Sequence, residues 1–158
     1  MKKEMRRKDR LVSEEKARDI IENSEYGILA TASLNGDPYA IAVSHVLYEN
    51  NIYFHCALEG RKLDNIRENP KVCMSFVSKA DVEQEAYTVR YESAVVEGIA
   101  KIIEEEEEKL LALQLICKKY SPDLIHQHLS YIQPRLKHTG VCRVEMQEIS
   151  GKANERKQ

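Results

Sequence analysis

The chain has 158 residues, 42% of them hydrophobic and 32% charged, and a net charge of −2. That is enough apolar material for one core, so a wholly disordered chain is excluded. The near-zero charge gives no general reason to bind nucleic acid or an anionic membrane. The balance hides an asymmetry. Residues 1–10 carry Lys2, Lys3, Arg6, Arg7, Lys8 and Arg10 against Glu4 and Asp9, a net of +4. Residues 151–158 carry Lys152, Arg156 and Lys157 against Glu155, a net of +2, which leaves −8 for the body. No stretch is apolar enough to span a membrane, and no apolar region follows the basic start as in a secretory signal. Cys56, Cys73, Cys117 and Cys142 form no CxxC pair, so they read as reduced thiols of a cytoplasmic chain.

The first predicted element is a short amphipathic helix over 13–24. Ser13 caps it, Glu14 and Glu15 suit its positive end, and Ala17, Ile20 and Ile21 form its apolar stripe. A strand follows from Tyr26 to Leu34. Asn35-Gly36 marks a hairpin, and a second strand runs from Tyr39 to Tyr48. Glu49-Asn50-Asn51 turns the chain into a third strand, Ile52–Ala57. Gly60-Arg61-Lys62 leads into a short helix stopped at Asn69-Pro70. Val72–Ser78 is a fourth strand, and residues 79–90 are polar enough to read as a loop or a frayed strand start. Tyr91–Ile103 is a long strand in which Gly98 suggests a bulge. The acid run Glu104–Glu108 opens a helix, with Leu110, Leu113, Ile116, Cys117 and Tyr120 on one face. Another helix runs from Pro122 to about Pro134. In the last strand, Val141–Ile149, Cys142, Val144 and Met146 alternate with polar residues. Few strands are joined by helical crossovers, so the pattern predicts a mainly β fold: an antiparallel, six-stranded barrel with appended helices, in one domain.

Chemistry-bearing motifs are few. His126 and His128 point to different helix faces, His45 and His55 lie in separate strands, and no HExxH, HxxxH or CxxC supports a metal. GxSxG, a Walker loop and GxGxxG are absent. What remains is Gly60-Arg61-Lys62, where a strand ends, glycine frees the backbone, two cations follow and a helix begins. Free helix N–H groups with Arg and Lys suit a phosphate, although surface cations after a loop glycine are also ordinary solvated residues.

The segment IYFHCALEGRKLDNIRENPKVCMSF resembles the signature of the flavin-binding split-barrel family. That family includes pyridoxamine 5′-phosphate oxidase and the 5-nitroimidazole reductase (Nim)-like proteins. MRRKDR, GILATASLNGDPYAIAVSHVLYENNIYFH, YESAVVEGIAKII and VEMQEISGK resemble its N-terminal arm, first strands, fifth strand and last strand in the same order. The resemblance implies a six-stranded split barrel that forms a homodimer with FMN at the interface. It implies that Ala42, Val43, Ser44 and His45, with His55, Cys56 and Ala57, approach the isoalloxazine. Arg61 and Lys62 would hold the phosphate, Tyr91, Glu92 and Ser93 would add contacts, and His55 would serve as a proton donor or orienter. The implied activity is an FMN-dependent transfer of electrons from a reduced nicotinamide to a small acceptor such as a nitro compound. The alternative is a non-catalytic flavin or haem binding protein. The chain departs from pyridoxamine phosphate oxidase itself: it has no Trp and ends in SGKANERKQ, whereas the oxidase carries a Trp and an Arg-rich motif in its substrate segment. The basic arm reads either as a solvated tail or as a segment that Arg6, Arg7 and Lys8 dock onto the acidic body.

Overall fold

Ser13 caps the first helix, its hydroxyl accepting from the Lys16 amide at 3.1 Å. This helix, α1 (Glu14–Asn23), buries Ala17, Ile20 and Ile21 against the sheet, as the spacing of those residues predicts. The computed structural model describes residues 5–155, so Lys2, Lys3, Glu4, Arg156 and Lys157 of the basic ends lie outside the described residues.

The strands are β1 (Gly27–Ala32), β2 (Pro38–Val43), β3 (His45–Tyr48), β4 (Asn51–Cys56), β5 (Lys71–Glu83), β6 (Thr88–Ile102) and β7 (Gly140–Asn154). They form one antiparallel sheet in the order β2-β1-β5-β6-β7-β4-β3, curled round a core of Leu29, Ile52, Phe54, Met74, Phe76, Val96 and Val144. Seven strands replace the expected six because the stretch 39–48 changes partner at Ser44. β2 pairs with β1, and β3 pairs with β4. This corner leaves β2 and β3 as the two edges of the sheet.

Two other differences share one cause. β5 runs past Ser78 to Glu83, and β6 begins at Thr88, so most of the polar stretch 79–90 is a hairpin. β7 runs through Gly151–Asn154, beyond the expected end at Ile149, by pairing with Tyr91–Ala94. Both extensions form where little apolar burial marks a strand, and ladder hydrogen bonds with an Arg90–Glu83 ion pair of 3.0 Å hold the hairpin. The expected bulge at Gly98 is present, since the β6–β7 register slips between Glu97 and Gly98. A Cβ at position 98 would collide with the Glu145 carbonyl. Gly98→Ala is expected to destabilise the fold by about 2 kcal/mol through overpacking, read as a lower urea midpoint at unchanged slope.

The helices close the barrel. α2 (Arg61–Glu68) buries Leu63 and Ile66 in the core. α3 (Glu106–Tyr120) buries Ala112, Leu113 and Ile116 in a second apolar cluster with Val46, Tyr53 and Val141. Within the acid run, Glu108 ties α3 to the sheet. Its carboxylate accepts from Arg143 at 2.6 Å and from the Tyr53 hydroxyl at 2.9 Å. The segment after Pro122 is not one helix. It is a 3-10 turn (Pro122–Gln127), the short α4 (His128–Ile132) and a second 3-10 turn (Gln133–His138), kinked at Leu124. The arm is held on β7 by the Leu11–Lys152 bridge and the Val12 N–H to Gly151 carbonyl bond, and on β6 by an Arg10 to Tyr91 hydroxyl bond of 3.1 Å. Arg7 pairs with Asp9 within the arm itself.

Candidate functional site

The site begins where β4 runs out. Past Cys56 the chain turns through Ala57–Glu59 to Gly60, whose φ of 132° is a conformation that favours glycine. The Gly60 carbonyl accepts from the Leu63 amide at 2.8 Å and the Asp64 amide at 3.2 Å, which starts α2. No side chain caps this end, so the first helix N–H groups and the positive end of the helix dipole face outward. The side chains added there are Arg61 and Lys62.

Polar contacts from Asn65 of α2 and from Asn69, the residue that ends it, tie the helix to β1. Asn65 Nδ2 donates to the Thr31 hydroxyl at 2.8 Å in the interior, and Asn69 Nδ2 donates to the Ala32 carbonyl at 3.2 Å. Both acceptors lie on β1, which pairs with β2, so the start of α2 is fixed over the start of β2. Arg61 completes the bridge. Its guanidinium lies 4.8 Å from the Tyr39 ring centroid and donates to the Pro38 carbonyl at 3.4 Å. The outward residues of β2, Ala40 and Ala42, are small and exposed, and its far edge has no partner strand. Edge N–H and C=O groups with no side chain beyond Cβ above them suit a flat heteroaromatic ligand that carries donors and acceptors of its own.

Arg61, Lys62, Ala42, His55 and Ala57 are exposed or half-buried, and Ser44 and Cys56 are half-buried; Ala42 and Ser44 lie toward the far end of β2 from Pro38. Val43 belongs to the core. The two histidines part company. The His55 side chain is exposed near the end of β4, whereas the His45 ring is fully buried, 4.7 Å from the Phe76 ring, with Nε2 2.8 Å from the Ile21 carbonyl. At position 45 the site is offered backbone rather than imidazole, and even that N–H is engaged by the Tyr120 hydroxyl at 2.9 Å.

Tyr91, Glu92 and Ser93 lie on β6, away from β2 in the sheet order. Measured along the curled sheet, strand rise and strand spacing separate Tyr91 from Pro38 by roughly 30 Å. Tyr91 and Ser93 alternate with Ala94 and Val96 and so point to the outer side of the sheet, where Tyr91 is half-buried and Ser93 is buried, its Oγ without a hydrogen bond. Tyr91 is flanked by the cations of Arg10 and Lys152, at 5.8 and 5.5 Å from its ring centroid. Glu92 is bound to Lys16 at 3.1 Å and to the Ser78 hydroxyl at 3.1 Å. Sequence reasoning missed Tyr39, Asn65 and Asn69. Tyr39 was legible only as a strand residue, and the two asparagines matter through partners far away in the chain. Among the described residues, no group of three or more His, Cys, Asp or Glu side chains is gathered to hold a metal, and no helix is long and apolar enough to cross a membrane.

Comparison with known proteins gives three kinds of finding. The family model described as pyridoxamine 5′-phosphate oxidase matches residues 13–153. No curated protein matches the chain. Among solved structures, a candidate 5-nitroimidazole antibiotic resistance protein of Bacteroides thetaiotaomicron is 27% identical, with a TM-score of 0.78 over 92% of this chain and 90% of its own. The flavocytochrome Anf3 of Azotobacter vinelandii is 16% identical, with a TM-score of 0.78 over 97% of this chain and 73% of its own. An FAD-binding protein of Mesorhizobium loti is 18% identical, with a TM-score of 0.65 over 92% of this chain and 98% of its own. The latter two likenesses establish the split-barrel fold.

Proposed function

The chain belongs to the pyridoxamine 5′-phosphate oxidase family, and from that membership we propose that it binds FMN and passes electrons from a reduced nicotinamide to a small acceptor such as a nitro compound. One observation carries the reading: Arg61 and Lys62 stand at an uncapped helix start, docked beside an open sheet edge lined by alanine. The phosphate of FMN is dianionic near neutral pH and suits two cations and free N–H groups, while the ring suits the edge. When bound, the flavin supplies the redox chemistry.

The chain's own residues bind, orient and exclude. Arg61, held on Tyr39 and Pro38, presents its guanidinium in a fixed orientation. Lys62 adds a second charge, and His55 offers an exposed imidazole that can hold or give up a proton at the mouth of the site. The relative described for nitroimidazole resistance favours a nitro compound as acceptor. Relatives described as binding FAD, or FAD and haem, make the flavin's identity a matter for measurement.

In this reading the working unit is a homodimer. Tyr91 and Ser93 stand on β6, three strands from β2 in the sheet order. The outer sheet face between them carries Ile28 and Val77, which are 36% and 52% exposed. A second copy packed on that face would cover these side chains and bring its own Tyr91 and Ser93 to the cofactor.

The test is a spectrum of the purified protein before and after anaerobic NADPH. The expected result is a yellow protein that releases FMN on denaturation, bleaches with NADPH and regains colour with a nitro compound. A colourless protein that takes up neither FMN nor FAD sinks the proposal. Bound flavin that neither NADH nor NADPH reduces would turn the reading to a flavin-binding protein without turnover, and a Soret band would turn it to haem.

A further inference from the structure

Two of the four cysteines stand together. β4 and β7 pair with Phe54 opposite Cys142 and Cys56 opposite Gly140, so Cys56 and Cys142 are diagonal neighbours on the inward face of adjacent strands. Gly140 makes the contact possible: a Cβ there would lie 3.0 Å from the Cys56 sulfur, so the bare backbone leaves the space that this thiol occupies. The two cysteine side chains therefore face the same interior across the ladder, within reach of each other. They differ in access, since Cys56 is half-buried at the end of the strand and Cys142 is fully buried. Cys73 and Cys117 lie on other elements, β5 and α3.

We propose that Cys56 and Cys142 are a redox-active thiol pair, closed to an intramolecular disulfide by hydroperoxides, at the rim of the Arg61–Lys62 junction. The division of labour follows from access and charge. The Cys56 thiolate is favoured first by the neighbouring Cys142 thiol and then by the cations of Lys62 and Lys109, which together outweigh burial and hold its pKa below that of an ordinary thiol. The same proximity, with burial, pushes the Cys142 thiol up. Cys56 is therefore the attacking sulfur and Cys142 the resolving one.

The Cys56 thiolate attacks one peroxide oxygen and the O–O bond breaks. Hydroxide leaves from hydrogen peroxide, or alkoxide from an organic hydroperoxide, and the sulfur, oxidised by two electrons, is a sulfenic acid. The sulfur of Cys142 then attacks the sulfenic sulfur. The S–S bond forms, the S–O bond breaks, and the departing hydroxide takes the Cys142 proton to become water. A diagonal span of about 7 Å is near the limit of disulfide reach, so closure draws the end of β4 toward β7. The loop beyond that end carries Gly60, Arg61 and Lys62.

The test uses the full chain as purified, needs no flavin, and titrates it with hydrogen peroxide. Expected is the loss of two hydrogens from the intact mass, one cross-linked peptide pair joining Cys56 to Cys142, and full reversal by dithiothreitol. A Cys73→Ser/Cys117→Ser double variant is expected to close in the same way. In Cys142→Ala, and in Cys142→Ser should the alanine variant fold poorly, Cys56 is expected to stop at a sulfenic acid trapped by dimedone. Peroxide that carries Cys56 to the sulfinic acid in the unaltered chain while Cys142 stays alkylatable on unfolding overturns the proposal. So does a chain whose Cys56 is no more reactive than Cys73 or Cys117.

Discussion

Replacing both Arg61 and Lys62 with alanine is expected to weaken FMN binding by about 3 kcal/mol, roughly 150-fold, while leaving riboflavin binding nearly unchanged. The difference between the two ligands is the phosphate, so the ratio of their affinities isolates the two cations from every contact to the ring. Each charge-assisted contact is worth about 1.5–3 kcal/mol, and two on one phosphate add less than fully because they share it. The single variants should divide the loss unequally. Arg61 is already braced on the Tyr39 ring and the Pro38 carbonyl, so little ordering cost remains when it binds. Arg61→Lys keeps the charge but loses the planar fork and the stacking, and it should recover less than half of the Arg61→Ala loss. Stability without ligand should move by less than about 0.5 kcal/mol, because neither side chain is part of the core. Isothermal titration with FMN and with riboflavin, each at two salt concentrations, gives the ratio. If the double variant lowers both affinities equally, the phosphate does not sit at the start of α2.

The parts of this site that were legible in the sequence are the local ones. Gly60-Arg61-Lys62 between a strand and a helix is a contiguous signal, and its chemistry follows from residue type and order. Asn35-Gly36, Ser13 and Gly98 could be read for the same reason: a turn, a cap and a bulge each depend on a few neighbouring residues. What could not be read was pairing. The stretch from Tyr39 to Tyr48 looks like one strand because its apolar residues continue through Ser44. Only the partners, β1 on one side of the corner and β4 on the other, divide it. The hairpin over 79–90 was hidden because both of its faces meet solvent, so no hydrophobic alternation marks it. The histidines show the limit most clearly. His45 and His55 both sit in strands with apolar neighbours, and nothing local says which turns inward. His45 does so because, just past the corner at Ser44, β3 presents it opposite Phe54, whose ring belongs to the core.

That inward turn has a measurable cost in acid. Burial lowers the His45 pKa to about 4, while the Ile21 carbonyl pulls the other way and the Lys119 ammonium, 3.2 Å from Nε2, adds to the lowering. Lys119 is itself held in place by the Ser24 carbonyl at 2.9 Å. Nε2 donates to Ile21, so the neutral ring is the form the fold accepts, and its Nδ1 is buried without a hydrogen bond. In the unfolded chain the same histidine titrates near 6.5. As the pH falls below that value the unfolded state takes up a proton that the folded state refuses. Stability is therefore full above about pH 6.5, declines as the pH approaches 4, and is lower by about 3 kcal/mol once both states are protonated. His45→Phe removes the titration and keeps a ring against Phe76, while leaving the Ile21 carbonyl without this partner. The variant is expected to be less stable than the parent at pH 8, with the gap closing by about 3 kcal/mol at pH 4. Urea unfolding at several pH values between 8 and 4 measures the two slopes. Parallel curves for the parent and His45→Phe would mean that His45 takes up its proton in the folded chain as readily as in the unfolded one, and that its ring is not held neutral by the core.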